Sequence, residues 1–451
     1  MRKKTRWVLM TMLLAFALNA DAQNTDSDEA VLSIDLPRAI EIALAENPTI
    51  RVADKDVELK RIADREAWQT LLPEVSATAN LSHTLLAAEM KLNTPAGVQK
   101  FKMGRDDTNT AAGSITMTMP LFAPAVYQNM KLTKDDILLA QEKARGSRLD
   151  LIKEVTKAYY QALLAQDSYK VMKESYDISK ENYDVVSKKF EQGRVSEYDL
   201  ISAEVQMRNM NSSMVSAQTG LTLAALQLKV LMGVTADVTI NIEDDLENYQ
   251  NSLILPSLDG NDDLSANTTM RQFDLNRSLL ERTLKLKRTN FMPTVAFQMT
   301  GQYQSLYNTD WNVFGYEYAP SASFAISINI PIFKASNWSG LKKTKLQLAQ
   351  LEDSRDNTVR QLGMATRSYR SNMASTIAQV HSNHEAVLKA NKAVTISQKR
   401  YDVGRGTILE VNQSQVQLTQ SKLTYNQSIY DYLINKADLD YTLGNETYLK
   451  K

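Results

Sequence analysis

From residue 74 onward, apolar and polar side chains alternate. Val75, Ala77, Ala79 and Leu81 are interleaved with Ser76, Thr78, Asn80 and Ser82, and Ile115, Met117 and Met119 with Ser114, Thr116 and Thr118. The rhythm returns at Val295, Phe297 and Met299 against Ala296, Gln298 and Thr300. It returns again at Phe324, Ile326, Ile328 and Ile330 against Ser323, Ala325, Ser327 and Asn329. Successive strand side chains point to opposite faces, so period two predicts strands with one apolar and one polar face. Four are expected, at about 74–88, 111–121, 294–305 and 320–332, joined in pairs by polar loops at roughly 89–112 and 306–320. Tyr303, Tyr307, Trp311, Phe314, Tyr316 and Tyr318 gather at one end of the second pair, with Phe122 and Phe333 at the other strand ends.

Everything else reads as helix. Between 125 and 192, Ile152, Val155, Tyr159, Ala162, Tyr169, Tyr176, Tyr183, Val186 and Phe190 recur at spacings that suit coiled-coil packing. A helix of that length would be roughly 100 Å long at 1.5 Å per residue. Gly193-Arg194-Val195-Ser196 and Gly404-Arg405-Gly406-Thr407 each read as a reversal between two such helices. At both, a Ser or Thr precedes an acidic residue by three positions, Ser196/Asp199 and Thr407/Glu410. That spacing fits an N-cap with a carboxylate at the third helical position.

The chain is also written twice. Asn47-Pro48 stands as far before Pro73 as Asn267-Thr268 does before Pro293, and Pro120-Leu121-Phe122 reappears as Pro331-Ile332-Phe333. The offset of 211 residues between Pro120 and Pro331 then holds without a gap from Gly193-Arg194 to Gly404-Arg405 and from Gly233 to Gly444. Such a unit is too long for a solenoid repeat and reads as an internal duplication. The expected organisation is a signal peptide (1–22), a first repeat (23–233), an acidic connector (234–266), a second repeat (267–444) and a C-terminal tail (445–451).

Composition sharpens the picture. No proline falls between Pro124 and Pro256 or after Pro331, which suits very long helices. Lys+Arg and Asp+Glu are 52 each, so no basic footprint for nucleic acid exists. Cys is absent, which excludes disulfides, thiolate metal sites, a cysteine nucleophile and an N-terminal lipid anchor on cysteine. Arg2, Lys3, Lys4 and Arg6, then apolar Trp7 to Leu18, then Ala20-Asp21-Ala22, form an export signal with cleavage expected before Gln23. No downstream stretch is long and apolar enough to span a bilayer as a helix, so any crossing must use strands. An open four-stranded sheet leaves edges that lipid cannot satisfy, so several copies would have to close one barrel. No catalytic constellation or cofactor fingerprint is present. His381 and His384 lack a third metal ligand and are matched in the first repeat by Lys170 and Lys173, a polar surface. Gly404-x-Gly406 lacks the third glycine of a dinucleotide loop. The chain is therefore expected to be no enzyme, with no catalytic, cofactor or metal residues.

A duplicated unit of helix, strand, loop, strand and two long helices, with Gly-Arg-Val-Ser and Gly-Arg-Gly-Thr tips and Pro-Leu-Phe and Pro-Ile-Phe switches, resembles the TolC family of outer-membrane factors. The resemblance runs from about Ile34 to Gly444. It implies a mainly α chain with a membrane β-barrel portion, whose long coiled-coil hairpins and four strands per protomer build a homotrimer. Twelve strands would close the barrel in outer-membrane lipid, and twelve helices would form a tunnel in the periplasm. Such a passive exit duct serves tripartite efflux or type I secretion, with a periplasmic adaptor protein and an inner-membrane pump as partners. Adaptor contacts would fall on Gly193, Arg194, Ser196, Gly404, Arg405 and Thr407. A gate ring would take Glu410 and, where such channels often have a second carboxylate, Gln413. A closing link between hairpins would join Tyr401 to Asp199. The alternative is a periplasmic adaptor or another soluble coiled-coil scaffold, which would share the hairpins and the signal but lack lipid-facing strands.

Overall fold

The computed structural model describes residues 31–95, 97–235, 237–255 and 263–445. The signal peptide and residues 446–451 of the tail lie outside that set. The chain divides into two compact units, each assembled from three separate stretches.

One unit comprises 47–154, 253–381 and the chain from 431. Its sheet contains β2 (Glu74–Thr84), β5 (Thr108–Phe122), β7 (Thr294–Asn308) and β8 (Ala319–Asn329), antiparallel in the order β2-β5-β7-β8. Register lines the alternation up across all four. Val75 lies opposite Met117, Met117 opposite Met299, and Met299 opposite Phe324. Because side chains of paired residues share a face, the apolar positions merge into one continuous surface. Ile115, Phe324, Ile326 and Ile328 on it are exposed. The other face is polar and bonded to itself, with Thr78 and Ser114 hydroxyls 2.8 Å apart and Thr116 and Thr300 hydroxyls 3.3 Å apart. β2 and β8 each keep one unpaired edge within this sheet.

Helix α2 (Pro48–Gln69) and its duplicate α5 (Thr268–Thr289) lead into the sheet. Each starts on an asparagine cap. Asn47 accepts from the Thr49 N–H at 2.8 Å, and Asn267 accepts from the Met270 N–H at 3.1 Å while donating to Thr442 O at 2.7 Å. Such a cap satisfies a backbone donor that the first helical turn leaves free. Buried Asp135 is held by Arg282 and Ser278, both at 2.9 Å.

The other unit comprises 31–46, 155–252 and 382–430. In it β1 (Val31–Ile34) pairs in parallel with β6 (Thr239–Ile242), and α1 (Leu36–Glu46) buries Leu36, Ala39, Ile40 and Ala43. The hydroxyls of Tyr159 and Tyr249 both donate to Asp244 Oδ2, at 2.8 and 2.9 Å. Asp167 accepts from the Leu246 N–H at 2.9 Å, and its burial raises its carboxyl pKa. Long helices α3 (Pro124–Glu191) and α6 (Ala335–Asp402) contribute to both units, while α4 (Glu197–Met232) belongs wholly to this one. Helix α7 (Ile408–Leu443) closes the order.

Three expectations are corrected. Beyond the four expected strands, which form the four-stranded sheet, β1–β6 and the hairpin of β3 (Ala88–Thr94) with β4 (Gly97–Met103) form separate two-stranded ladders where helix or loop was expected. The first expected strand stops at Thr84, and the polar loop of 89–112 holds that hairpin and the start of β5. The last strand ends at Asn329 instead of 332, since Pro331 cannot donate to a ladder.

Candidate functional site

The candidate site is the pair of helix reversals, which close in the same way. Gly193 is left-handed (φ 67°), donating to Phe190 O at 2.8 Å, while the Arg194 N–H donates to Lys189 O at 2.9 Å. Gly404 (φ 72°) donates to Tyr401 O at 3.1 Å, and the Arg405 N–H to Arg400 O at 2.8 Å. This left-handed C-terminal cap favours glycine because a Cβ would be strained there.

The helices that follow begin differently. Ser196 and Asp199 form a full capping box: Ser196 Oγ accepts the Asp199 N–H at 3.2 Å, and Asp199 Oδ2 accepts the Ser196 N–H at 3.2 Å. The serine hydroxyl also lies 2.7 Å from Asp199 Oδ2. At the second tip only half of this survives. Thr407 Oγ1 accepts the Glu410 N–H at 3.3 Å, but the Glu410 carboxylate meets Arg400, Oε2 to Nη1, at 3.2 Å.

Next to the reversals the two hairpins share a small core. Val186 and Ala203 pack with Ile408 and Val411, flanked by Tyr183, Val195, Leu200 and Tyr401. Lys189 Nζ sits 4.5 Å from the centre of the Tyr401 ring and 3.9 Å from Asp402 Oδ1. A cation over an aromatic face is attracted by the ring quadrupole, so this lysine binds one hairpin to the other.

The Tyr401 hydroxyl is buried with no hydrogen-bond partner among the described residues. Burial, then the neighbouring carboxylates of Asp199 and Asp402, raise its pKa above the usual phenol value. Asp199 is therefore near Tyr401 but hydrogen-bonded to Ser196, and within one chain the expected Tyr401–Asp199 bond is not made. Gln413 is exposed on α7, and Glu410 is half-exposed. Gly193, Arg194, Ser196, Gly404, Arg405 and Thr407 are all exposed. Lys189, Arg400 and Asp402 were not anticipated. The one available signal was opposite charge on either side of a tight turn, as at Arg400 and Glu410.

Away from the tips, His384 lies against Tyr425, ring centres 5.5 Å apart. Among the described residues, no helix is long and apolar enough to cross a membrane.

A sheet with one continuous apolar face, joined through its strands to paired coiled-coil hairpins, is the build of an outer-membrane channel protomer. A family model described as outer membrane efflux protein matches residues 39–234 and 261–445, and the chain belongs to that family. It is 22% identical over 413 residues to Outer membrane protein TolC of Escherichia coli (strain K12), spanning 88% of this chain and 80% of that one. It is 21% identical over 457 residues to the Alkaline protease secretion protein AprF of Pseudomonas aeruginosa, spanning 98% and 89%. Among solved structures, the Campylobacter jejuni CmeC outer membrane channel matches with a TM-score of 0.68 at 16% identity, over 92% of this chain and 88% of that one. The chain is thus an exit duct of the Gram-negative outer membrane for efflux or secretion, with its helical part in the periplasm. The adaptor or soluble-scaffold alternative is set aside.

Proposed function

We propose that three copies of this chain close one twelve-stranded barrel and one helical tunnel, through which cargo leaves passively once a pump has delivered it. The carrying observation is the four-stranded sheet with a continuous apolar face and an unpaired edge on both β2 and β8. Lipid offers no hydrogen bonds to such edges, whereas β8 of one copy and β2 of the next satisfy each other. Residues 1–22 direct export and are removed, and the chain performs no catalysis. A periplasmic adaptor protein grips the tips at Gly193, Arg194, Ser196, Gly404, Arg405 and Thr407, and an inner-membrane pump supplies the energy.

The gate is the second tip. Three Glu410 carboxylates converge there, with Gln413 beside them, and attract cations into the constriction. Arg400 partly neutralises each carboxylate in the resting tip, since its guanidinium lies 3.2 Å away. Tyr401 has a buried hydroxyl with no hydrogen-bond partner among the described residues, and Asp199, the expected partner of the closing link between the hairpins, is the carboxylate it would take. Single-channel recording in planar bilayers tests this. Glu410→Gln lowers cation preference at low salt and less so at high salt, where screening shortens the field. Unchanged selectivity at low salt would remove Glu410 from the conduction path.

A further inference from the structure

The β3–β4 hairpin is amphipathic, and none of its described residues is buried. Its register sets Ala88 against Met103, Met90 against Phe101 and Leu92 against Gln99 on one face. Met90, Leu92, Phe101 and Met103 are each about half or more exposed, at 48, 50, 51 and 65%. On the other face Glu89 opposes Lys102, which is bound to Asp106, and Lys91 directly opposes Lys100. Neither Lys91 nor Lys100 has an ion-pair partner among the described residues. Like charges directly across a ladder repel, and an exposed apolar face of this extent marks a contact surface. Two features bear on what would cover it. The apolar face of β2 ends at Leu81, and the chain runs on through Leu85 and Leu86, both more than two-thirds exposed, into the hairpin. Among the described residues of the hairpin, Lys91 and Lys100 lack an ion-pair partner, and so does Glu89 because Lys102 opposite it is bound to Asp106; the excess charge on this face is positive, which suits an anionic surface.

We infer that the β3–β4 hairpin docks onto a phosphate-bearing anionic lipid surface at the rim of the barrel. Met90, Leu92, Phe101 and Met103 enter the interface, and Lys91 and Lys100 sit at headgroup level. This is the placement of an interfacial amphipathic element, apolar side down and lysines among the phosphates. The hairpin's base is fixed for it: the Ala87 N–H donates to Asp106 Oδ1 at 2.8 Å, and Gly104 takes φ 119° at the exit. The inference rests on the reading that the apolar face of the main sheet meets lipid.

The chain has no cysteine, so single cysteines carry a spin label without background. Full-length Met90→Cys, Phe101→Cys, Asn93→Cys and Ile326→Cys, labelled with a nitroxide, are reconstituted into two kinds of vesicle. One is phosphatidylcholine alone and the other is phosphatidylcholine mixed with phosphatidylglycerol. Accessibility to oxygen and to a water-soluble nickel chelate is then measured. Expected are oxygen-favoured labels at 90, 101 and 326 in the mixed vesicles, with a nickel-accessible label at 93. Adding Lys91→Gln and Lys100→Gln should lower immersion at 101 on the order of tenfold in mixed vesicles, leaving 326 unchanged. Labels at 90 and 101 as open to nickel as 93, with 326 in lipid, would overturn the docking alone. Spin–spin broadening at 101 without lipid contact would overturn it in favour of hairpins meeting between copies. A water-exposed label at 326 would remove the membrane sheet itself, and the docking with it.

Discussion

Placing arginine at Phe324 tests the orientation of the sheet at its most sensitive point. β7 and β8 pair from Thr294 with Asn329 to Gln304 with Ala319, so Met299 and Phe324 are the central pair. In a transmembrane strand that centre lies near the bilayer midplane, where an outward arginine costs ~2–4 kcal/mol. Ile326 lies two residues along, roughly 7 Å of strand or about 5 Å of depth at a tilt near 45°. With an apolar band roughly 25 Å tall, the cost of Ile326→Arg should fall to about 1–3 kcal/mol. Ser323 and Ser327 point to the polar face, so Ser323→Arg and Ser327→Arg should alter conductance with little loss of stability. Phe324→Leu serves as the control for the lost ring. The assay is denaturant titration of the folded fraction in phosphatidylcholine vesicles. A penalty at Ser323 equal to that at Phe324, or none at either, would refute the assignment of faces.

Three further outcomes follow from local geometry. Gly444 adopts φ 71°, and an added Cβ would lie 2.3 Å from Ala266 O, so Gly444→Ala should lower thermal stability by about 1–3 kcal/mol, read by calorimetry in detergent. Ser196→Ala removes a full capping box and should cost ~1 kcal/mol, whereas Thr407→Ala, which removes only half of one, should cost less in the same assay. Lys102, then the Ala87 N–H, lower the pKa of Asp106, so its support of the hairpin base is present above the ordinary carboxylate pKa and lost as pH falls through the depressed value. Pepsin nicking between residues 85 and 107 should therefore rise over that acid range, and Asp106→Asn should abolish the pH dependence.

The parts of the fold legible in the sequence were those with a sustained period. The alternation from Val75 to Leu81 and from Phe324 to Ile328 marks strands whose two faces meet different surroundings, and the register joins those faces as expected. The glycines at 193 and 404 were readable as reversals because their left-handed backbone limits the residues that fit. Strands β1 and β6 escaped notice because four residues are too short to show a period. The β3–β4 hairpin alternates too, from Ala88 through Met90 to Leu92, but its lysines and asparagine give the stretch the polarity of a loop. At the tips, the sequence pairs Glu410 with Thr407 by capping logic, yet Arg400 competes for the carboxylate across the turn. No local spacing rule reveals that competition, because it depends on how tightly the reversal closes.

The central claim is that three copies close one barrel, and native mass measurement of the detergent-solubilised protein tests it most directly. The account predicts a single species of three chains that persists on dilution, because separating the copies would expose the β2 and β8 edges to the detergent's apolar core. A folded, monodisperse monomer with its sheet intact by hydrogen exchange would contradict it.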